Sequence, residues 1–327
     1  MYDMKEFVVN NYYENANFRI VIRNDYPSFY SALLHEYIHF LQDTCTYFGV
    51  KLREDLYNNK EEVNTHLIQG CDIKCLGSFY GINSKEKYLP KIAKGNGVEI
   101  IRLGPSILGA KAIKENMAYV AQKYLYEDYN KHNSEYAFIS NFVEIECPFL
   151  KNNNLIQFAL DDISLMTENP GKALIKMIEV FKVKKDEVVK LCYIDKIKLF
   201  YDYCETILET NKLSQYNGII DAVGGVEGHL YSYLPKEESN IDDIVHCIVF
   251  FCKNNYQQRL KKHSILSETL IDYKNKSINH LTNSNEESII FQKIFFESFG
   301  YPVINNNRDK KMFNSNTLKD LGFINNL

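Results

Sequence analysis

The chain has 327 residues, 45% of them hydrophobic and 24% charged, with a formal net charge of -4. That length suits one large domain or two smaller ones, and the composition is that of a globular protein with a sizeable core. A slightly acidic chain offers no global basic field, so neither nucleic acid nor an anionic membrane is an expected partner.

In chain order, residues 7–9 and 18–22 are short and β-branched, and the second segment alternates, so both read as strands. Asn24, Asp25 and Pro27 then form a helix-start signal. Residues 28–47 read as a helix with Gly49 as its terminator. Residues 29–41 are apolar on nearly every face, the pattern of a buried helix. Helical stretches follow at 60–76, 106–129, 161–183 (interrupted at Asn169-Pro170 and Gly171) and 184–210. A glycine-rich loop at 221–228 lacks the lysine and spacing of a phosphate loop. Residues 241–262 and 286–298 read as late helices, and the Asn-rich tail from 305 to 327 as loosely packed. The expected class is α+β but mainly α, with a small N-terminal β-sheet against the 28–47 helix. A boundary near residue 150 would separate a region 1–150 from a mainly helical region 151–327, unless the two form one continuous domain.

The longest apolar run, near 244–252, is far shorter than the roughly 18–20 residues of a membrane span. Residues 1–6 lack a basic stretch followed by an apolar run, so no secretory leader is expected and the chain reads as cytoplasmic. The eight cysteines are scattered and read as reduced, mostly buried thiols. Cys71 with Cys75, and Cys247 with Cys252, lack the paired spacing of a structural zinc site.

The chemistry is concentrated at His35-Glu36-Tyr37-Ile38-His39. Two histidines four apart on a helix stack on one face, where both can reach a single metal. Zinc suits neutral imidazole and takes four ligands, so a third protein ligand and a water complete a catalytic set. Glu36 can face that water without ligating; zinc lowers the water's pKa towards about 7, and a carboxylate can take its proton. Ala32, Leu33, Leu34, Tyr37, Ile38, Phe40 and Leu41 surround the motif. Two histidines and a glutamate in such a helix would cost several kcal/mol if unpaired, which a metal explains. The alternative is histidines hydrogen-bonded in the core or facing solvent.

The run from Ala32 to Leu41 resembles the active-site helix of the zincin metallopeptidases. The resemblance implies zinc ligation by His35 and His39 and a general-base role for Glu36. The long signature with a third histidine soon after a glycine is missing, since residues 40–49 contain no histidine. This points to the gluzincin branch, whose third ligand is a glutamate on a second helix followed three residues later by a small residue. Glu115 with Ala118 fits that description, and Tyr119 and Gln122 share the face of Glu115 and could line a cleft. His66, Glu61 and Glu62 remain alternatives for the third ligand. Asp161, Asp162 and Asp43 are candidates to hold the histidines' second N–H groups. Tyr119, Tyr136 and His229 are candidate donors to an oxyanion.

The expected function is a Zn2+-dependent metallohydrolase, a metallopeptidase acting on a peptide or protein substrate. The competing readings are a zinc hydrolase of non-peptide amides or esters and a non-catalytic zincin-like binding protein. Residues 18–23 are expected to form the sheet edge along which an extended peptide docks, with Arg19, Val21 and Arg23 outward.

Overall fold

The structure is a computed structural model, and it describes residues 11–14, 19–22, 29–50, 90–95, 98–103, 106–107, 109–126, 136–213, 241–277, 284–300 and 303–306. The elements in chain order are β1 (Tyr12–Glu14), β2 (Arg19–Ile22), α1 (Phe29–Cys45), β3 (Pro90–Gly95), β4 (Val98–Leu103) and β5 (Ser106–Ile107). Then come α2 (Ala110–Leu125), α3 (Phe138–Glu146), α4 (Asn154–Ser164), α5 (Pro170–Val183), the short α6 (Lys185–Val189) and α7 (Ile197–Thr210). The C-terminal part holds α8 (Ile241–Lys261), α9 (Ile265–Ser277), α10 (Ser284–Phe291) and β6 (Val303–Asn306). The molecule is predominantly helical, and α1 carries the His35–His39 motif.

Residues 31–45 of α1 are all buried, so this helix has no solvent face. Leu34, Ile38 and Leu41 on it are at most 1% exposed, and burying a side chain of that size contributes about 1.5–3 kcal/mol. α2 and α8 pack along α1, α4 packs on α2, and β1 and β2 lie against α1. Tyr37, inside the motif, points away from the histidines. Its hydroxyl meets the carbonyls of Phe295 (3.0 Å) and Gly300 (2.9 Å), anchoring α1 to the C-terminal helices. At Gly300 φ is +93°, and a Cβ there would lie 2.4 Å from the Phe251 ring. Glycine is therefore required at this turn, after which the chain returns to the sheet.

The strands form two small three-stranded sheets, ordered β1-β2-β6 and β3-β4-β5. β2 pairs antiparallel with β1 and parallel with β6. This corrects the expectation that residues 18–23 form a docking edge: β2 is interior, flanked by protein on both sides. Its Ile20 and Ile22 are buried in the core as their alternation predicts, but Val21, expected outward, is buried too because the sheet has a covered second face.

Other boundaries move for identifiable reasons. The 106–129 helix is shortened to Ala110–Leu125, because residues 106–107 pair with β4 as β5 and Gly109 is the N-cap. The 161–183 stretch is two helices. Asn169 caps α5 by accepting from the Lys172 N–H at 3.0 Å, and Pro170 occupies its first turn. α4 begins earlier than expected, at Asn154, capped by Asn153. Gly49 does not terminate the helix; a Cβ there would sit 2.2 Å from the Gln42 carbonyl oxygen, so its small size permits a close backbone approach. Asn305 and Asn306, expected in a loose tail, belong to β6.

Candidate metal centre

His35 and His39 stand one turn apart on α1, their ring centroids 5.0 Å apart and nearly perpendicular. α2 crosses against them and presents Glu115. Glu115 Oε2 is 3.6 Å from His35 Nε2 and 3.4 Å from His39 Nε2. One donor atom from each of the three residues lies within 4.8 Å of the others, and this is the one such group of His, Cys, Asp or Glu among the described residues. The residues suit a metal by an independent measure. Zinc–ligand lengths of about 2.0–2.1 Å in a tetrahedron place neighbouring donors ~3.3–3.4 Å apart, close to the two separations from Glu115. Two imidazoles and a carboxylate also match the donor preference of a catalytic zinc.

The remaining ring nitrogens are both engaged. His35 Nδ1 lies 3.0 Å from Gln122 Oε1, and His39 Nδ1 lies 2.9 Å from Gln42 Oε1. The aspartates expected there serve elsewhere. Asp161 accepts from Asn116 Nδ2 at 2.6 Å, Asp162 pairs with Arg259 at 2.8 Å, and Asp43 pairs with Lys114 at 2.7 Å. Each of them finds a partner on a neighbouring helix rather than an imidazole. Gln42 is the residue sequence reasoning missed. Its signal was the i, i+3 spacing from His39, which puts the two side chains on one helix face.

Electrostatics bind the group together. Burial pushes Glu115 upward, but the charges of His39 and His35 and their hydrogen bonds outweigh it and hold the carboxyl well below its usual range. Burial pushes His39 down, and the adjacent Glu115 carboxylate more than reverses this, so the imidazole ends above its ordinary value. Glu36, 7% exposed, is raised by burial, partly offset by the two histidines and by a hydrogen bond from the Tyr13 backbone N–H. A carboxyl raised in this way is a better proton acceptor than an ordinary glutamate.

Aromatic rings line the surroundings. Tyr136, just before α3, packs edge-on to His35 with centroids 5.4 Å apart, and Tyr13 of β1 lies nearly parallel to His39 at 6.4 Å. Tyr119 sits one turn beyond Glu115 on α2, largely buried, raised by burial and the charge of Glu144, with Lys123 over its ring. His66, Glu61, Glu62 and His229 lie outside the described residues, as do the glycine-rich loop and the 60–76 stretch. Cys45, Cys147, Cys204 and Cys252 are buried. Burial raises Cys45 to about 12, which keeps the thiol protonated at the C-terminal end of the site helix. No helix among the described residues is long and apolar enough to cross a membrane.

No family model, no curated protein and no solved structure matches the chain.

Proposed function

We propose that this chain is a zinc-dependent hydrolase of zincin-like type that cleaves peptide bonds. The observation that carries the reading is the convergence of His35, His39 and Glu115 donor atoms within 4.8 Å of one another, with Glu36 buried beside them. A zinc ion held by those three residues supplies Lewis acidity toward a water molecule and a substrate carbonyl. Glu36, buried beside the three ligands, takes the proton from the attacking water and later delivers it to the leaving amine. Tyr136, whose ring packs against His35, is the phenol this reading assigns to donate to the developing oxyanion. The apolar burial of α1 keeps bulk water away from the base and strengthens each of these interactions.

A polypeptide substrate is favoured by the position of β1. It is outermost in its sheet among the described residues, and its Tyr13 sits beside both His39 and Glu36. An extended chain lying along β1 would bring successive carbonyl carbons past the base. The test is Glu36→Gln assayed on a broad peptide mixture. The variant is expected to keep about one zinc per chain and to lose at least ~100-fold in rate. A normal rate would overturn the role of Glu36. A wild-type protein that hydrolyses small amides or esters but no peptide would replace the peptidase reading with a non-peptide hydrolase.

A further inference from the structure

We propose that Gln42 and Gln122 are positioning residues that assemble the metal centre in advance, each by using both ends of its carboxamide. The inference rests on the reading that His35, His39 and Glu115 hold a metal. Gln42 Oε1 faces His39 Nδ1 at 2.9 Å, while its Nε2 donates to the Lys114 carbonyl at 2.8 Å. That carbonyl belongs to the peptide bond leading into Glu115. One side chain therefore ties the ring of one ligand to the backbone of another. Gln122 does the converse from α2. Its Oε1 faces His35 Nδ1 at 3.0 Å, and its Nε2 donates to the Ser31 carbonyl at 2.8 Å, with the Ser31 hydroxyl at 3.2 Å. The two amides cross the α1–α2 interface in opposite directions, and both are buried.

The backbone carbonyls decide the chemistry. A carbonyl oxygen only accepts, so each amide must turn its NH2 toward it. The amide oxygen is then fixed toward the imidazole, and the facing Nδ1 must carry the ring proton. Nε2 is left with its lone pair directed at Glu115 and the metal position. A carboxylate in place of either glutamine could accept from the ring, but it would set an oxygen against the backbone carbonyl and release the helix tie.

The experiment has two arms. In the first, zinc affinity of the full chain is measured by chelator competition for wild type, Gln42→Leu, Gln122→Leu and Gln42→Glu. Each leucine variant is expected to bind zinc about 10–100-fold more weakly. Gln42→Glu is expected to remain weaker than wild type, because the ring acceptor is restored but the tie to the 114–115 peptide is not. Leucine variants within about threefold of wild type, or a Gln42→Glu that binds more tightly, would overturn the proposal. In the second arm, nitrogen-15 NMR of metal-free wild type, recorded with both rings neutral, reads the tautomers. Protons on Nδ1 of His35 and His39 are expected, and protons on Nε2 would overturn the proposal whether or not the variants fold. Failure of wild type to bind zinc would count against the metal reading alone, leaving the tautomer result to decide the glutamines.

Discussion

Two buried polar groups flank the core of this protein, and they are built on opposite principles. In the first, His35 and His39 of α1 and Glu115 of α2 bring donor atoms within 4.8 Å of one another, the outer nitrogens of the histidines met by Gln122 and Gln42, with Glu36 buried beside them. In the second, Asp162 of α4 takes Arg259 of α8 at 2.8 Å and the Tyr201 hydroxyl at 2.6 Å, and Ser267 meets the same hydroxyl at 2.8 Å. Asp162 and Arg259 are both fully buried, and the guanidinium also lies over the Tyr201 ring at 5.3 Å. Here charge closes on opposite charge, and the group joins four helices. The first arrangement gathers donors of the kind a metal takes, while the second neutralises itself. Burial and charge alone do not distinguish a site from a strut; the direction of the lone pairs does.

The largest effects should separate the two groups cleanly. The double replacement of His35 and His39 by Ala is expected to weaken zinc binding by at least ~1,000-fold, since two of three protein ligands are lost. Arg259→Met should instead cost about 3–5 kcal/mol of stability by stranding Asp162 in the core, and leave zinc stoichiometry intact wherever the fold persists. Calorimetry and metal analysis on the same preparations check both. If Arg259→Met loses zinc without losing stability, the contrast between the groups fails.

The next test concerns the link between α2 and α4. Asn116, the residue after Glu115, donates to Asp161 at 2.6 Å and accepts from the Ser140 backbone N–H at 3.0 Å and hydroxyl at 2.7 Å. Asp161 is buried and raised well above the usual carboxylate range, chiefly by desolvation. Asn116→Ala removes three hydrogen bonds and leaves a buried carboxyl and a backbone N–H without this partner, at an expected cost of about 2–3 kcal/mol in chemical denaturation. Because Asn116 adjoins Glu115, zinc affinity should fall as well, by less than the histidine replacements cause. A stability change below about 0.5 kcal/mol would show that this hub does not hold the two helices together.

The front of the molecule was more legible in the sequence than its frame. The α1 helix was evident because Pro27 marks its start and apolar residues surround the motif on every face, a pattern no surface helix shows. Glu115 was reached through resemblance, as the i, i+3 spacing to Ala118 names a packing contact but not its target. The status of β2 was hidden because its partners lie at 12–14 and 303–306, and one strand's alternation records which faces are covered, not which edges. α3 is only nine residues long, and α9 mixes Lys, Asn and Ser into its pattern, so neither produced a clear period. Gln42 escaped notice, and Gln122 was read only as cleft lining, because a carboxamide has no charge to mark it as a histidine partner, whereas Asp161 and Asp162 carry one and are engaged elsewhere.

The smallest expected effect lies beside the self-neutralised group. His263 Nδ1 donates to Glu205, and that hydrogen bond raises the imidazole above its ordinary 6.5 despite partial burial and the nearby Arg259 charge. A histidine whose folded-state pKa is raised stabilises the fold fully at pH below its unfolded value of about 6.5, and the contribution disappears as pH climbs through the higher folded value. The ring is partly solvated, so the contribution should be at most about 1 kcal/mol. His263→Gln is therefore expected to be less stable than wild type at pH 6 in urea denaturation, with the gap shrinking by pH 8.5. Zinc affinity should match wild type at both pH values, because no residue of the metal centre is part of this pair. A gap that stays constant across pH would mean the imidazole contributes through packing rather than charge, and a gap that widens with pH would reverse the assignment of Glu205 as its partner.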